Sequence, residues 1–181
     1  LGPIDDHIKK HLDILFVGFN PSLRSGETGY HFANPNNRFW TILHRAGLTD
    51  RKLHPSEGEQ LVDMGYGLTN IVARPTKAAE DITKEEYEEG KEILKEKIAR
   101  YEPAFVCFVG KGVYQQYSGR KQVPWGLQEM SVVPGVYDFV APSSSGLVRI
   151  KLDDIVAIYK ELSRLLEVYK EKGKEGVEEW K

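Results

Sequence analysis

Residues 14–40 read ILFVGFNPSLRSGETGYHFANPNNRFW. Ile14, Leu15, Phe16 and Val17 form a continuous apolar run of the kind found in a strand buried on both faces, and Gly18 lets backbone or ligand approach its end. Asn20 then sits at the carboxyl end of the strand, the edge at which ligands collect in open parallel α/β sheets. Pro21 disfavours helical geometry at Asn20, so the chain is expected to leave the strand in an extended turn and open into a long polar, glycine-punctuated loop. A strand that delivers such a loop reads as the base of an active site.

Outward from that stretch, helical and strand patterns alternate. Residues 5–12 read as a short helical or irregular lead-in. Asn36 or Asn37 can cap a helix to about Gly47, with Phe39, Trp40, Ile42, Leu43 and Ala46 as its apolar stripe. A short helix over 55–62 is followed by a second parallel strand over 67–72, ended by Arg74 and Pro75. A long helix runs from Asp81 to about Tyr101, with a glutamate-rich solvated face. Residues 104–109 form the third strand, 111–117 a short helix and 136–140 the last strand, with a hairpin partner expected near 130–133. An amphipathic helix covers 152–169, and the charged, glycine-broken remainder is expected to fray. The pattern calls for a three-layer α/β/α sandwich with a mostly parallel central sheet.

A chain of 181 residues suffices for one well-buried core and is short for two. The expectation is a single domain over 1–181, with its core at about 12–170 and a charged tail at 171–181. No signal peptide is read, and no apolar run approaches the roughly 20 residues needed to cross a bilayer. The single cysteine, Cys107, lies inside an apolar strand pattern and reads as a buried thiol. One cysteine excludes a disulfide within the chain and a cluster held by four thiolates. His7 and His11 share a face if the lead-in is helical, but they have no third ligand nearby, so no metal site is read. The formal charge of −2 says little about partners, because nucleic-acid binding depends on a local basic face. Acidic residues concentrate in 80–89 and 171–179, whereas Arg24, Arg38, Arg74, Lys111 and Arg149 lie elsewhere. Neither GxxxxGK[ST] nor a GxGxxG after a strand is present, which disfavours nucleotide binding through a phosphate loop.

GFNPSLRSGETGYHFANPNNRFW resembles the first motif of the mismatch-specific uracil/thymine-DNA glycosylase family, a member of the uracil-DNA glycosylase superfamily. That motif is Gly-Ile-Asn-Pro-Gly-Leu followed by Gly-x-x-Phe/Tyr and Asn-x-Phe-Trp. The resemblance continues in order through TNIVARPT (69–76), VGKGVY (109–114) and APSSSGLVR (141–149), covering roughly residues 12–170. Ser22 stands where glycine is usual, and Ala141-Pro142-Ser143-Ser144-Ser145 is closer to the animal thymine-glycosylase version. Both departures bear on substrate preference more than on the reaction.

The resemblance implies a uracil-DNA glycosylase-like fold and hydrolysis of the bond joining a flipped base to deoxyribose, without a cofactor. Positive charge builds on the sugar and negative charge on the departing base, so the protein must place a water below C1′ and stabilise an anionic base. Asn20 suits the first task, since a carboxamide oxygen accepts a hydrogen bond but takes no proton. His31 matches a histidine of the animal branch that is a candidate to stabilise developing charge or contact DNA. Phe32 matches the aromatic on which the base stacks, and Asn70 matches a pocket-edge position that tunes substrate range. Backbone N–H groups around Phe19 and Tyr30 to Phe32 are candidates to hold the base oxygens. Leu147 would wedge into the gap left by the flipped nucleotide, with Ser145 and Gly146 approaching the orphan guanine. Ser25, Lys111, Ser143, Ser144 and Arg149 are candidates to bind flanking phosphates. No lysine adjoins Asn20 in the first motif, so Schiff-base chemistry and strand cleavage are not expected.

The expected partner is double-stranded DNA carrying uracil or a G:U or G:T mispair, engaged by a monomer with no membrane association. The expected location is the cytoplasm, on the nucleoid when DNA is bound. Three rivals stay open: a broad uracil-DNA glycosylase active on any pairing and on single strands, a non-catalytic DNA-damage-binding module, and an unrelated α/β nucleotide-binding protein, which the missing phosphate loop disfavours.

Overall fold

The computed structural model describes residues 2–181. Its strands are β1 (Ile14–Gly18), β2 (Tyr66–Asn70), β3 (Phe105–Val109), β4 (Gly126–Leu127) and β5 (Tyr137–Ala141). They form one sheet in the order β2-β1-β3-β5-β4, parallel except for the edge strand β4. The helices are α1 (Leu23–Thr28), α2 (Phe39–Arg45), α3 (Gln60–Asp63), α4 (Lys84–Tyr101), α5 (Lys111–Ser118) and α6 (Leu152–Trp180). This is the expected α/β/α sandwich.

The two-residue period of the strands sorts their side chains into two cores. Ile14 and Phe16, with Phe105, Cys107 and Phe139, face a cluster completed by α2, α3 and α6. Leu15 and Val17, with Val106, Phe108 and Val140, face the cluster of α4 and α5. Cys107 is fully buried, and burial pushes its thiol well above the ordinary range. Among the described residues no helix is long and apolar enough to cross a membrane.

Three sequence expectations are corrected. The stretch after Pro21 is not all loop, because Ser22 caps α1 by accepting the Ser25 N–H and Gly29 closes the helix in the left-handed region. The edge partner of β5 is Gly126–Leu127, not 130–133. Buried Asp138 of β5 draws the later segment in by its side chain, accepting from Val132 N at 3.0 Å, while Arg120 donates to Met130 O at 2.6 Å. The charged tail is also ordered on the core. At Gly173 the backbone takes φ 68° and ψ −156°, a conformation open essentially to glycine alone, and the turn it makes seats Val177 in the core with no exposed surface. Tyr137 donates to Lys174 O and Lys181 to Glu129 O to complete the docking.

Candidate active site

A cleft of about 830 Å³ opens at the carboxyl ends of the parallel strands. Gly18 ends β1 and Asn20 lies just beyond it, Asn70 ends β2, Val109 ends β3 and Ser143 follows β5, and all five line it. Because β2 lies on one side of β1 and β3 on the other, the cleft sits where the strand order reverses, the usual ligand crevice of such sheets.

The Asn20 carboxamide has a determined orientation. It donates to the Arg74 carbonyl at 2.7 Å and to the Thr76 hydroxyl at 2.8 Å. A carbonyl can only accept, so the NH₂ group must face this pair, and the carboxamide oxygen has no protein donor among the described residues. The Thr76 hydroxyl donates in turn to Ala78 O at 2.7 Å, which leaves it a lone pair for Asn20. Arg74 is itself held, donating to both carboxylate oxygens of Glu86 and to Asp81 O. An unengaged acceptor, fixed by partners on its nitrogen side, is what the orientation of a water requires.

Phe32 is held in the left-handed region, φ 50°, a strained setting for a side chain of its size. It persists because neighbours pin both polar groups of the peptide that follows it: Trp40 Nε1 donates to Phe32 O, and Ala33 N donates to the Ser25 hydroxyl. One face of the Phe32 ring stacks on Phe39 at 4.0 Å and 16°, while the residue also lines the cleft. At Gly18 a Cβ would lie 2.7 Å from Asn70 Oδ1 and 3.6 Å from Phe32 Cζ, so the absence of a side chain there keeps the space between these two groups open.

His31 is 3% exposed. One ring nitrogen, Nε2, lies 2.8 Å from the Asp5 carbonyl, and because a carbonyl only accepts, Nε2 carries the hydrogen. Burial lowers the pKa to about 4, against the raising effect of the Asp5 carbonyl, and the ring is neutral at pH 7. Its donor is engaged and its other nitrogen is an acceptor, so the side chain offers neither charge nor a hydrogen to a departing base. Its side chain ties the loop to the N-terminal segment, edge-on to His7 at 5.1 Å, while the residue lines the cleft.

Across the cleft, residues 143–147 form a rim fixed by the segment before α2. Arg38 N donates to Ser144 O at 2.9 Å and Arg38 Nη2 to Ser145 O at 3.2 Å. Gly146 lies so close to Asn36 that a Cβ would meet its carbonyl at 2.7 Å. From this rim Leu147 projects 92% exposed, its backbone N–H held by the Ser145 hydroxyl.

The sequence model of the Uracil DNA glycosylase superfamily matches residues 6–167, most of the chain. The chain belongs to the uracil DNA glycosylase superfamily. Among solved structures it is similar to the solution NMR structure of "a putative Uracil DNA glycosylase from Methanosarcina acetivorans", with a TM-score of 0.56 and 20% identity over 90% of this chain and 98% of that one. At that identity the likeness speaks to the fold. Membership in the superfamily supports a DNA glycosylase, a hydrolase acting on DNA.

Seen as a member of this superfamily, the chain gathers Phe19, Asn20, Phe32, Asn70, Ser143, Ser144, Ser145, Gly146 and Leu147 around one cleft. Among the described residues the N–H groups of Phe19, His31 and Phe32 have no protein acceptor, whereas that of Tyr30 is engaged by the Thr28 hydroxyl. Tyr30 does not line the cleft and is 41% exposed, which removes it from the base pocket. Ser25 lines the cleft but is 1% exposed, and its hydroxyl accepts from Ser22 and Ala33 N. Through these bonds it braces the loop. Lys111 and Arg149 lie outside the cleft lining, with Lys111 Nζ 4.2 Å above the Trp125 ring and Arg149 exposed. Arg38, named in the sequence only as one of its scattered basic residues, also lines the cleft, as do Thr76 and Lys77, to which the sequence reading gave no part. The parallel bridge between Ser22 and Thr76 brings the last two there, and no local periodicity announces it.

Proposed function

We propose that this protein is a monofunctional DNA glycosylase of the mismatch-specific uracil/thymine class. It flips uracil from duplex DNA, most readily where it faces guanine, and hydrolyses its bond to deoxyribose, with thymine and modified cytosines as further candidates. The observation that carries this reading is Asn20, whose amide nitrogen is tethered twice while its oxygen is left as an acceptor at the cleft. In the reaction the oxygen accepts a hydrogen bond from a water below C1′ and directs its lone pair to the sugar as the base departs. A carboxamide takes no proton, so the rate depends on a good leaving group such as uracil. The unengaged N–H groups near Phe19, His31 and Phe32 are suited to the anionic base. The Phe32 ring offers stacking worth about 1–3 kcal/mol per base. Leu147, exposed at the rim, suits the gap left in the stack.

A second reading, a broad enzyme indifferent to pairing, is favoured by Asn70, whose carboxamide lies at the cleft beside Gly18 and can pair with the polar edge of uracil. Single-turnover excision of uracil opposite each of the four bases and in a single strand separates the two. A marked preference for guanine opposite uracil supports the first reading, and similar rates throughout support the second. Lys77 lines the same cleft, so borohydride trapping on uracil-containing duplex tests the monofunctional part: no covalent adduct is expected.

A further inference from the structure

We infer that Thr76 is a positioning residue for the reaction: its hydroxyl fixes the Asn20 carboxamide with the oxygen toward the substrate. The inference rests on the glycosylase reading above and concerns how its central group is aimed. An asparagine side chain at the end of a strand has two amide orientations differing by a half turn. Only one presents the oxygen to the cleft. Two acceptors meet the nitrogen, the Arg74 carbonyl at 2.7 Å and Thr76 Oγ1 at 2.8 Å. The carbonyl is an acceptor by its nature. The hydroxyl is one by arrangement, because its single hydrogen is directed to Ala78 O at 2.7 Å. Thr76 is itself held by the parallel bridge to Ser22, with its N–H donating to Pro21 O at 3.2 Å, and is 5% exposed. The relay Ala78 O, Thr76 hydroxyl, Asn20 NH₂ therefore runs from backbone to catalytic side chain with no free rotor in it. Without the hydroxyl, one amide hydrogen of Asn20 faces an apolar group, and the carboxamide is free to tilt away from the single remaining tether.

The test is single-turnover uracil release from a G:U duplex by wild type, Thr76→Val, Thr76→Ser, Asn20→Ala and the double variant Asn20→Ala/Thr76→Val. Binding to an uncleavable duplex is measured alongside. Valine keeps the shape of threonine and deletes only the hydroxyl, so a fall in rate of about tenfold is expected, roughly the effect of one positioned hydrogen bond. DNA affinity should not move, and serine should restore the rate. In the Asn20→Ala background the valine should cost nothing further, because the group it aims is gone. A hydroxyl that merely stabilised the fold would slow both backgrounds alike. As a readout independent of turnover, hydrogen exchange of the Asn20 side-chain amide should be slow in wild type, faster in Thr76→Val and slow again in Thr76→Ser. Wild-type excision together with an indifferent Thr76→Val, or equal losses in both backgrounds, overturns the assignment alone. A wild type that leaves uracil in place overturns the glycosylase reading beneath it.

Discussion

Replacing His31 with glutamine should change how stability depends on pH and should not change how catalysis does. The neutral imidazole is 3% exposed, and its pKa is lowered to about 4 by burial. In the unfolded chain a histidine titrates near 6.5, so the folded value is the depressed one. Its contribution to stability is fully present above about pH 6.5 and is lost as the pH falls toward about 4, because the unfolded chain takes up the proton first. Over that interval the loss is about 3 kcal/mol, at about 1.4 kcal/mol per pH unit. Glutamine can still donate to the Asp5 carbonyl but does not titrate. Urea unfolding of both proteins between pH 7.5 and 4.5 should show wild type losing about 2 to 3 kcal/mol relative to the variant. Asp138, pushed up to about 6 by burial, works in the opposite sense, its stabilising share being lost as the pH rises toward 6. Comparison with the variant cancels that term. Single-turnover rates from pH 5.5 to 8.5 should have no inflection near 6.5 in either protein. A stability difference that is flat with pH, or a wild-type inflection near 6.5 that vanishes in the variant, would refute the reasoning and return His31 to the chemistry.

Two further substitutions probe the rim and the tail. Leu147→Ala should slow excision from A:U pairs by about tenfold more than from G:U, because a mispair is already partly unstacked; equal losses in the two rate measurements would remove the wedge. Val177→Ala should lower the stability measured by urea unfolding by about 2 kcal/mol, since it empties a fully buried site, whereas a frayed tail would register no change.

Much of the site was legible because strand ends are legible. Asn20 and Asn70 each close an apolar run, and parallel pairing places Gly18 beside Asn70 and Asn20 just beyond. What escaped is what the fold assembles across sequence distance. The Thr76 hydroxyl meets an amide 56 residues earlier, and Arg38 grips a carbonyl 107 residues later. Neither contact leaves a periodic trace. His31 looked like a titrating group at an active-site loop, and only the docking of the N-terminal segment at Asp5 buries and neutralises it. The α1 helix was misread although Ser22 and Gly29 offered both caps, because Pro21 and the glycines argued for loop. In the tail a single valine among charges was too weak a pattern to announce a docked turn, whereas in the structure the conformation of Gly173 turns it inward.

The most direct measurement is single-turnover release of uracil from a G:U duplex by wild type and Asn20→Ala, with binding to the same duplex followed in parallel. The expected result is excision by wild type, a fall of about 10²-fold or more in the variant, as for the loss of one positioned catalytic group, and unchanged DNA affinity. An Asn20→Ala protein that releases uracil at the wild-type rate would contradict it.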